Sequence, residues 1–524
     1  MTRSIWVATL AALAFGVPGA AAPIVRSISN LAPPEGAKFT GDATGDGYSR
    51  GLDFIGDVNG DGFDDFAVGA PGADVGGTNV GAVHVYFGSS SQVPAQPFAP
   101  ESLNGSNGFV VRGATSGFNA LGAAVSAAGD FNNDGIDDFA IGAPTSAGSS
   151  AVHLIYGKTS FPAVISLDAP PSGYGFRIST GSNSFGWSLS STRLNNDNFS
   201  DLIISQWGLN QGRAVVIFGQ AAIPADISLA QVSRTSSPRG VYFNGFDTAS
   251  RFGYSVRGLN DFNGDGIGDM LIGAPFADSE RGKAYVIYGR ADVAGDLGFA
   301  TQEQVSGYDA TRGIEFVGLS SVALNGGRLG TSVATGNVNG DAHMDLIIGA
   351  QTAAAAGRLN SGAAYVIFGA GAAPGDYTRD VALLISQGSG VGFSGAAAGE
   401  VTGTAVSSPG DVNGDAVDDL LISAHQAGGN SGKFYVIYGR PNWPAAPIDL
   451  ATLDGTEGIS WLGEAAGDFL GFTLAQHGDF NSDGRADVLA GALAADAGAV
   501  PDTGAVYLIL NNGGDLFRNG FETP

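Results

Sequence analysis

The chain contains no cysteine in its 524 residues. Disulfide bonds, thiolate zinc sites and cysteine nucleophiles are therefore excluded. Basic residues are also scarce, with 24 Lys and Arg against 50 Asp and Glu, and the formal net charge is −26. Such an anionic surface repels phosphate backbones, so we expect no nucleic-acid partner. Long apolar runs are missing too: no stretch reaches the roughly 20 apolar residues of a membrane span, so we expect no transmembrane segment.

Glycine is instead abundant, with 84 residues, while charged residues make up only 14% of the chain. This composition is typical of many short strands joined by tight turns rather than of long helices. The hydrophobic content of 44% is enough for a large folded core.

Residues 1–22 have the three parts of a secretory signal peptide. Arg3 supplies a short positive region, residues 5–17 form an apolar run, and small residues follow up to Ala22. Because that run is too short to cross a bilayer, we expect it to direct export and to be removed. The sequence thus predicts a secreted, extracellular or cell-surface protein.

A pattern of four strand-like runs recurs between residues 36 and 510. Each copy opens with a short run that begins with Gly, and five copies continue to a Phe-Gly or Leu-Gly pair, as in Phe252-Gly253. In the first copy Asp46-Gly47 takes this place. An Asp-rich loop follows, then an apolar run ending in Gly-Ala-Pro or a variant, and finally a run rich in β-branched and aromatic residues. The copies span about residues 36–88, 108–157, 175–219, 240–289, 313–369, 390–439 and 458–510.

The spacing of these copies predicts a ring of blades. Successive Asp-rich loops start 63 to 76 residues apart, and such a period with four strands is typical of a propeller. A four-stranded sheet cannot bury both faces alone, so neighbouring blades must stack. We predict an all-β fold, a seven-bladed β-propeller of four-stranded blades over residues 23–512, followed by a C-terminal tail over residues 513–524. The spacing leaves open which strand closes the ring.

The Asp-rich loops carry the candidate binding chemistry. Oxygen-bearing side chains stand at positions one, three, five and nine, Gly at position six permits a sharp turn, and the position-seven carbonyl can face inward. Alternate positions of a curled loop face its centre, which gathers the hard oxygen ligands that Ca²⁺ prefers. In five loops the predicted ligands at positions one, three, five, seven and nine are Asp57, Asn59, Asp61, Phe63 and Asp65; Asp130, Asn132, Asp134, Ile136 and Asp138; Asp261, Asn263, Asp265, Ile267 and Asp269; Asp411, Asn413, Asp415, Val417 and Asp419; and Asp479, Asn481, Asp483, Arg485 and Asp487.

The other two loops depart from this pattern. Loop three has Arg193 at position one, and we expect its positive charge to replace a metal ion. Loop five has Asn337 at position one and Ala342 at position six, which makes metal binding doubtful. About five Ca²⁺ ions are therefore predicted. In the alternative interpretation, the Asp and Asn side chains only cap their own turns.

Phe-Gly, an Asp-rich loop and Gly-Ala-Pro in succession resemble FG-GAP repeats, and the resemblance covers nearly the whole chain after the signal. Such repeats form the N-terminal propeller of integrin α chains, which holds Ca²⁺ in loops of this kind. The resemblance implies an integrin-α-like adhesion or interaction scaffold. It also implies that all the loops lie on one face and that a protein or glycan ligand binds the opposite face.

Two other functions stay open, a Ca²⁺-dependent carbohydrate-binding lectin and an extracellular hydrolase. A lectin could use tryptophans for sugar stacking, namely Trp187, Trp207, Trp443 and Trp461. Residues 47–51 match a nucleophile elbow and residues 390–395 match a dinucleotide fingerprint, but both fall inside repeat elements without the α/β context those motifs need. We therefore predict no catalytic residues and no enzymatic activity.

Overall fold

The computed structural model describes residues 24–75, 78–90, 98, 100–115, 120–145, 149–232, 240–291, 302–319, 327–369, 377–512 and 517. The predicted signal peptide and all of the predicted tail except Phe517 lie outside these residues. Within them, seven small sheets form a seven-bladed β-propeller, and the predicted fold class is confirmed. No helix in this part of the chain is long and apolar enough to cross a membrane.

Four antiparallel strands build each blade from the axis outward, and the blades are numbered by the order of their inner strands in the chain. From blade one to blade seven, the inner strands are Gly51–Gly56, Ala124–Gly129, Phe185–Thr192, Ser255–Leu259, Leu329–Gly336, Val406–Gly410 and Leu470–Leu474. The second strands are Asp65–Ala70, Asp138–Ala143, Asp201–Gln206, Asp269–Ala274, Asp345–Ala350, Asp419–Ser423 and Val488–Ala492. The third strands are Ala82–Tyr86, Ser150–Ile155, Arg213–Ile217, Lys283–Ile287, Ala363–Ile367, Lys433–Ile437 and Ala505–Ile509. The outer strands are Gly108–Arg112, Gly175–Thr180, Gly240–Asn244, Gly313–Val317, Gly390–Ser394, Gly458–Leu462 and Gly36–Thr40.

Each blade takes its outer strand from the repeat that follows it in the sequence. In blade one, for example, Ala82–Tyr86 pairs with Gly108–Arg112 of the second repeat. Blade seven has no following repeat, and Gly36–Thr40 from the start of the chain pairs antiparallel with Ala505–Ile509. The N-terminal strand therefore closes the ring.

A fifth short strand, which the repeat spacing did not predict, extends six of the seven blades. It runs parallel to the outer strand and comes from the segment that precedes the outer strand of the next blade. For blades one to six these strands are Val164–Ser166, Asp226–Ser228, Gln302–Gln304, Thr378–Asp380, Ile448–Asp449 and Val25–Ser27. In blade seven an isolated bridge between Phe39 and Phe98 takes this place among the residues that the structure describes.

The remaining elements are short and lie in the connections. A two-stranded ribbon pairs Asp74–Val75 with Thr78–Asn79. Short 3-10 helices are Ile28–Asn30, Pro100–Ser102 and Val305–Gly307, and short α-helical segments are Leu229–Val232, Ala277–Glu280, Val381–Ser386 and Ala427–Asn430.

The core lies between blades rather than within them. Seven buried apolar clusters each join two neighbouring sheets, and the cluster between blades seven and one includes Phe39, Phe66 and Tyr86. The rings of Phe66 and Tyr86 stack with centroids 4.9 Å apart. Burial of these facing surfaces is the main favourable contribution to assembly of the ring.

The two glycines of the repeat signature meet at these interfaces. Gly69 of Gly-Ala-Pro in blade one lies against the carbonyl group of Gly122, which belongs to the Leu-Gly pair of blade two, and a Cβ at Gly69 would overlap that oxygen. The same contact joins Gly142 to Gly186. Gly122 also has a φ of +89°, which disfavours any side chain. The signature therefore encodes close packing of adjacent blades.

Candidate functional site: the aspartate loops

The position-one aspartate organises each of the five complete loops. In loop one the Asp57 carboxylate accepts hydrogen bonds from the backbone N–H groups of Gly60, Asp61 and Gly62, at 2.7, 3.0 and 2.8 Å. Asp130, Asp261, Asp411 and Asp479 likewise accept from the N–H groups of positions five and six, at 2.6 to 3.2 Å. The chain therefore curls round this carboxylate.

The side chains at positions three and five turn toward each other inside the same curl. In loop one the Asn59 side-chain oxygen accepts from the Asp61 N–H at 2.8 Å, and the Asn59 amide donates to Asp61 Oδ2 at 3.0 Å. The other Asp61 oxygen accepts from the Phe63 N–H at 3.1 Å. Three of the predicted side-chain ligands thus belong to one compact turn.

A left-handed residue at position six distinguishes the five complete loops. Gly62, Gly135, Gly266 and Gly484 have φ values between +82° and +90°. Ala416 holds the same place with a φ of +69°, a conformation that strains a residue with a Cβ. In loops three and five the position-six residues, Asn198 and Ala342, do not have a positive φ.

The position-nine aspartate has a structural role in all seven loops. It begins, or directly precedes, the second strand of its blade and is fully buried. In blade one, Asp65 accepts from the Val58 N–H of its own loop at 3.0 Å and from the Gly88 N–H after the third strand at 2.9 Å. Asp201 and Asp345 make the same pair of bonds in loops three and five, at 2.8 to 3.0 Å. The bonds therefore do not depend on a complete ligand set.

Burial has a direct electrostatic consequence for these carboxylates. Desolvation raises the pKa of Asp138 to about 7 and that of Asp487 to about 8, although backbone N–H groups oppose the shift. Nearby loop aspartates push the pKa upward further, as Asp134 does for Asp138. Each loop thus concentrates negative charge that a bound cation would stabilise.

Residues at position eight link one loop to the next. The sequence pattern alone did not single them out as functional residues. The Asp137 carboxylate of loop two accepts from the Asp57 N–H of loop one at 3.3 Å, and the Asp64 carboxylate of loop one accepts from the Asp479 N–H of loop seven at 2.9 Å. In other pairs a position-eight N–H donates to a position-one carbonyl, as Ser200 does to Asp130 at 3.2 Å. These contacts join neighbouring loops on one face of the ring, which we call the loop face.

The donor chemistry fits a hard cation, but the loop carboxylates are engaged with the backbone. Among the described residues there is no group of three or more Asp, Glu, His or Cys side chains that could hold a metal ion as they stand. A carboxylate offers about four lone-pair positions, so those that accept two N–H groups keep capacity for a ligand bond. To bind the cation, the position-three Asn side chain would have to give up its hydrogen bonds with the position-five Asp.

Loop three, in which we expect the charge of Arg193 to replace a metal ion, keeps part of the shared loop geometry. The Arg193 side chain is exposed and makes no ion pair with a described carboxylate. Asn195 and Asp197 still bond to each other, at 2.8 Å, as in the complete loops. The structure therefore does not show the guanidinium group taking the place of a cation.

The motifs that mimic catalytic signatures are built into the propeller. Ser49 is fully buried with a φ of +84°, and its hydroxyl group has no hydrogen-bond partner among the described residues. Gly390 and Gly392 lie in an outer strand. His84 and His153 occupy equivalent places in the third strands of blades one and two, and burial lowers their pKa to about 4 and about 3.

The four candidate tryptophans divide between the core and the surface. Trp461 is only 2% exposed. Trp443 is half-buried and donates its indole N–H to the Val338 carbonyl at 3.1 Å. Trp187 and Trp207 are half-buried at the face opposite the loops.

The fold and the loops together define a propeller of aspartate-loop repeats, and comparison with known proteins identifies the family. The family model described as FG-GAP repeat matches residues 55–86, 121–155, 252–287, 329–367, 402–437 and 475–509. These matches fall in every blade except blade three, whose loop carries Arg193. The chain is an FG-GAP repeat protein, and it resembles the N-terminal propeller of integrin α chains.

Individual relatives match shorter regions. Integrin alpha-V of Gallus gallus is 29% identical over 167 residues, which cover 32% of this chain and 15% of the relative. Phosphatidylinositol-glycan-specific phospholipase D of Bos taurus is 29% identical over 185 residues, covering 33% and 19%. Integrin alpha-5 of Xenopus laevis is 26% identical over 230 residues, covering 43% and 19%. The chain thus matches less than a fifth of the length of each of these relatives.

Proposed function

We propose that this chain is an exported, calcium-binding propeller that serves as an interaction scaffold for a protein or glycan ligand. The observation that carries the proposal is the repetition of one loop geometry, with its position-one carboxylate and left-handed position six, in five blades. The two loops that lack Asp at position one also lack the left-handed residue. The position-nine bonds, in contrast, persist in both loops and do not depend on this geometry.

In this proposal each ion is held by side-chain oxygens of positions one, three, five and nine and by the position-seven carbonyl group. Calcium accepts such mixed oxygen ligands in flexible geometry. Without the bidentate Glu that closes an EF-hand loop, we expect affinities near those of extracellular modules, about 10⁻⁴ to 10⁻³ M. The ions would offset carboxylate repulsion within each loop and stiffen the loop face.

The ligand surface belongs to the opposite face. Half-buried aromatic side chains gather there, including Trp187, Trp207 and Tyr254, whereas the loop face carries the aspartates. Aromatic side chains with one polar end are enriched in binding surfaces. The similarity to integrins supports a scaffold, and no activated nucleophile among the described residues supports a hydrolase.

Thermal unfolding in about 2 mM Ca²⁺ against excess chelator tests the proposal, since the concentration exceeds the expected dissociation constants. Each occupied site should then add about 0.6 to 1.8 kcal/mol to the free energy of unfolding, so calcium should raise the thermal unfolding midpoint. The rise should shrink stepwise as Asp57→Ala, Asp130→Ala, Asp261→Ala, Asp411→Ala and Asp479→Ala are combined.

Asn337→Ala in loop five is the matched control and should leave the calcium-dependent rise intact. Equilibrium dialysis against about 2 mM Ca²⁺, with the calcium of the dialysis buffer subtracted, should find up to about five bound calcium ions per chain. An unchanged midpoint together with no bound metal would show that the loops are only capped turns, and the calcium part of the proposal would fail.

A further inference from the structure

Arginine and aromatic side chains form a cluster near the propeller axis on the face opposite the loops. Its members, which we call the axial cluster, are Arg50, Trp187, Trp207, Tyr254 and Arg251. Arg50, Arg251 and Tyr254 precede inner strands, and Trp207 follows a second strand, so all lie at the ends of the strands away from the aspartate loops. All five side chains are half-buried.

The aromatic members contact one another across two blades. The ring centroids of Trp187 and Trp207 are 5.6 Å apart at an interplanar angle of 84°. Tyr254 of blade four lies 6.2 Å from Trp187 and 5.6 Å from Trp207. Because each ring touches the other two, the cluster presents a continuous aromatic surface.

One guanidinium group stacks on each of the two indoles, which are still only half-buried. Arg50 comes from blade one, yet it lies 4.7 Å from the Trp187 centroid in blade three and 5.4 Å from Phe472 in blade seven. It therefore reaches across the mouth of the central channel. Arg251 lies 4.8 Å from Trp207 and 3.9 Å from Phe276.

Neither guanidinium has an anionic partner in the described part of the chain, and neither donates a side-chain hydrogen bond there. Two other stacked arginines are paired, since Arg328 lies over Phe276 and bonds Glu280 at 2.9 Å, and Arg440 lies over Trp443 and faces Glu457 at 3.6 Å. Arg213, which lies over Tyr242, has no ion pair with a described carboxylate. Burial lowers the pKa of Arg50, so its charge has lost part of its hydration. Cation–π contact offsets only part of that cost, and an anion would supply the rest.

We infer that the axial cluster is a binding site for a short oligosaccharide that contains a hexuronic acid. The carboxylate of such a sugar would pair with Arg50 or Arg251, for which a planar guanidinium offers two parallel N–H donors. The C–H face of the pyranose ring would pack beside the guanidinium groups, on the exposed part of the half-buried aromatic rings, whose π faces are negative. The Tyr254 hydroxyl can bond a sugar hydroxyl, whereas the Trp207 indole N–H is buried and has no acceptor among the described residues.

The charge of the molecule limits how many anionic groups this ligand carries. The chain has a net charge of −26, so a polyanion would be repelled beyond the two arginines. An acidic peptide would satisfy the guanidinium groups but would leave the flat indole faces without a matching planar surface. A short ligand with one to three carboxylates on apolar-faced rings, rather than a long polyanion, fits both features.

This inference rests on the proposed use of the opposite face as the ligand surface but not on calcium. The test is titration of the full chain with trigalacturonate, followed by tryptophan fluorescence and calorimetry. The methyl ester of the same trisaccharide, which keeps the rings and removes the charge, is the matched ligand control. We expect saturable binding of the acid and at least tenfold weaker binding of the ester.

Variants locate the site. Arg50→Gln and Trp187→Leu should each weaken trigalacturonate binding at least tenfold, and Arg50→Lys should give an intermediate loss because it keeps the charge without the planar group. Arg440→Gln, which removes a paired arginine stacked on a tryptophan elsewhere, should leave binding unchanged. Circular dichroism and the calcium-dependent thermal shift of every variant report whether the fold and the loop face are intact.

Several outcomes would overturn the inference. Equal binding of acid and ester would show a neutral sugar surface, and tighter binding of triglutamate would show an acidic-peptide site. Absence of binding by a protein that still responds to calcium would reject the site while leaving the calcium proposal standing. Binding that survives Arg50→Gln would place the ligand elsewhere.

Discussion

At the scale of single residues, the position-nine aspartate is both a predicted metal ligand and a backbone clamp. Asp345 shows the second role most clearly, because its loop lacks Asp at position one and yet its carboxylate accepts from the Val338 and Gly369 N–H groups, each at 2.9 Å. Those N–H groups belong to a loop and to the end of a third strand. The carboxylate therefore joins two parts of the blade independently of any ion.

We predict that Asp345→Ala lowers the free energy of unfolding by about 2 to 4 kcal/mol in the presence of chelator. The change leaves three backbone N–H groups without this acceptor, those of Val338 and Gly369, which are buried, and that of Asn339, which is half-buried. Each buried unsatisfied group costs about 1 to 3 kcal/mol. Urea unfolding followed by circular dichroism measures the loss.

Asp341→Ala, which removes an exposed carboxylate of the same loop, is the control and should change stability much less. A loss for Asp345→Ala that appears only when calcium is present would contradict the clamp and would mean that position nine acts mainly through a metal ion.

At the scale of elements, closure of the ring depends on one strand pair that joins distant parts of the chain. Thr40 is paired with Ala505, and the strands that contain them close blade seven. Ala82 and Arg112 hold the equivalent places in blade one, where the strands are near in sequence. The two residue pairs therefore have the same local geometry, but the chain segments between their members differ greatly in length.

We expect a disulfide introduced by Thr40→Cys with Ala505→Cys to stabilise the protein by about 2 kcal/mol more than one introduced by Ala82→Cys with Arg112→Cys. A crosslink removes more entropy from the unfolded chain when it closes a longer loop. The chain has no cysteine of its own, so each variant forms a single defined bond. Unfolding with and without reductant measures each gain, and equal gains would contradict the view that this strand pair restrains the whole ring.

The sequence predicted the seven blades because each repeat carries its own local signals, such as Phe252-Gly253 followed by an Asp-rich loop. It could not assign Gly36–Thr40 to blade seven, since the pairing with Ala505–Ile509 leaves no local pattern. The fifth strands escaped prediction for a related reason. Segments such as Ile448–Asp449 have only two residues and acquire strand geometry from the neighbouring blade.

The sequence predicted which side chains belong to each loop, but it did not predict the contacts that those side chains make with neighbouring loops. The spacing predicted which oxygens share a loop, whereas the bonds from Asp64 and Asp137 to neighbouring loops depend on how blades stack. The axial cluster was beyond prediction as well. Arg50 and Trp187 lie 4.7 Å apart although they belong to blades one and three.

At the scale of the whole molecule, acidity and calcium binding should be coupled. The net charge of −26 disfavours the compact state through self-repulsion. Five divalent ions would remove ten of those charges. They would do so on the loop face, where neighbouring loops are linked and their carboxylates lie close to one another.

We therefore predict that sodium chloride narrows the difference between the unfolding midpoints measured with and without calcium. Raising the salt from about 10 mM to about 300 mM shortens the screening length severalfold, which relieves repulsion in the metal-free protein and weakens calcium binding. The metal-free midpoint should rise with salt, and the calcium-bound midpoint should rise less or fall. Differential scanning fluorimetry at fixed total calcium measures both midpoints.

Glu101→Gln, the control, removes one exposed charge outside the loops and should leave this salt-dependent narrowing unchanged. A calcium effect of constant size at every salt concentration would mean that the ions act through local loop geometry alone and that the acidity of the chain has a separate cause.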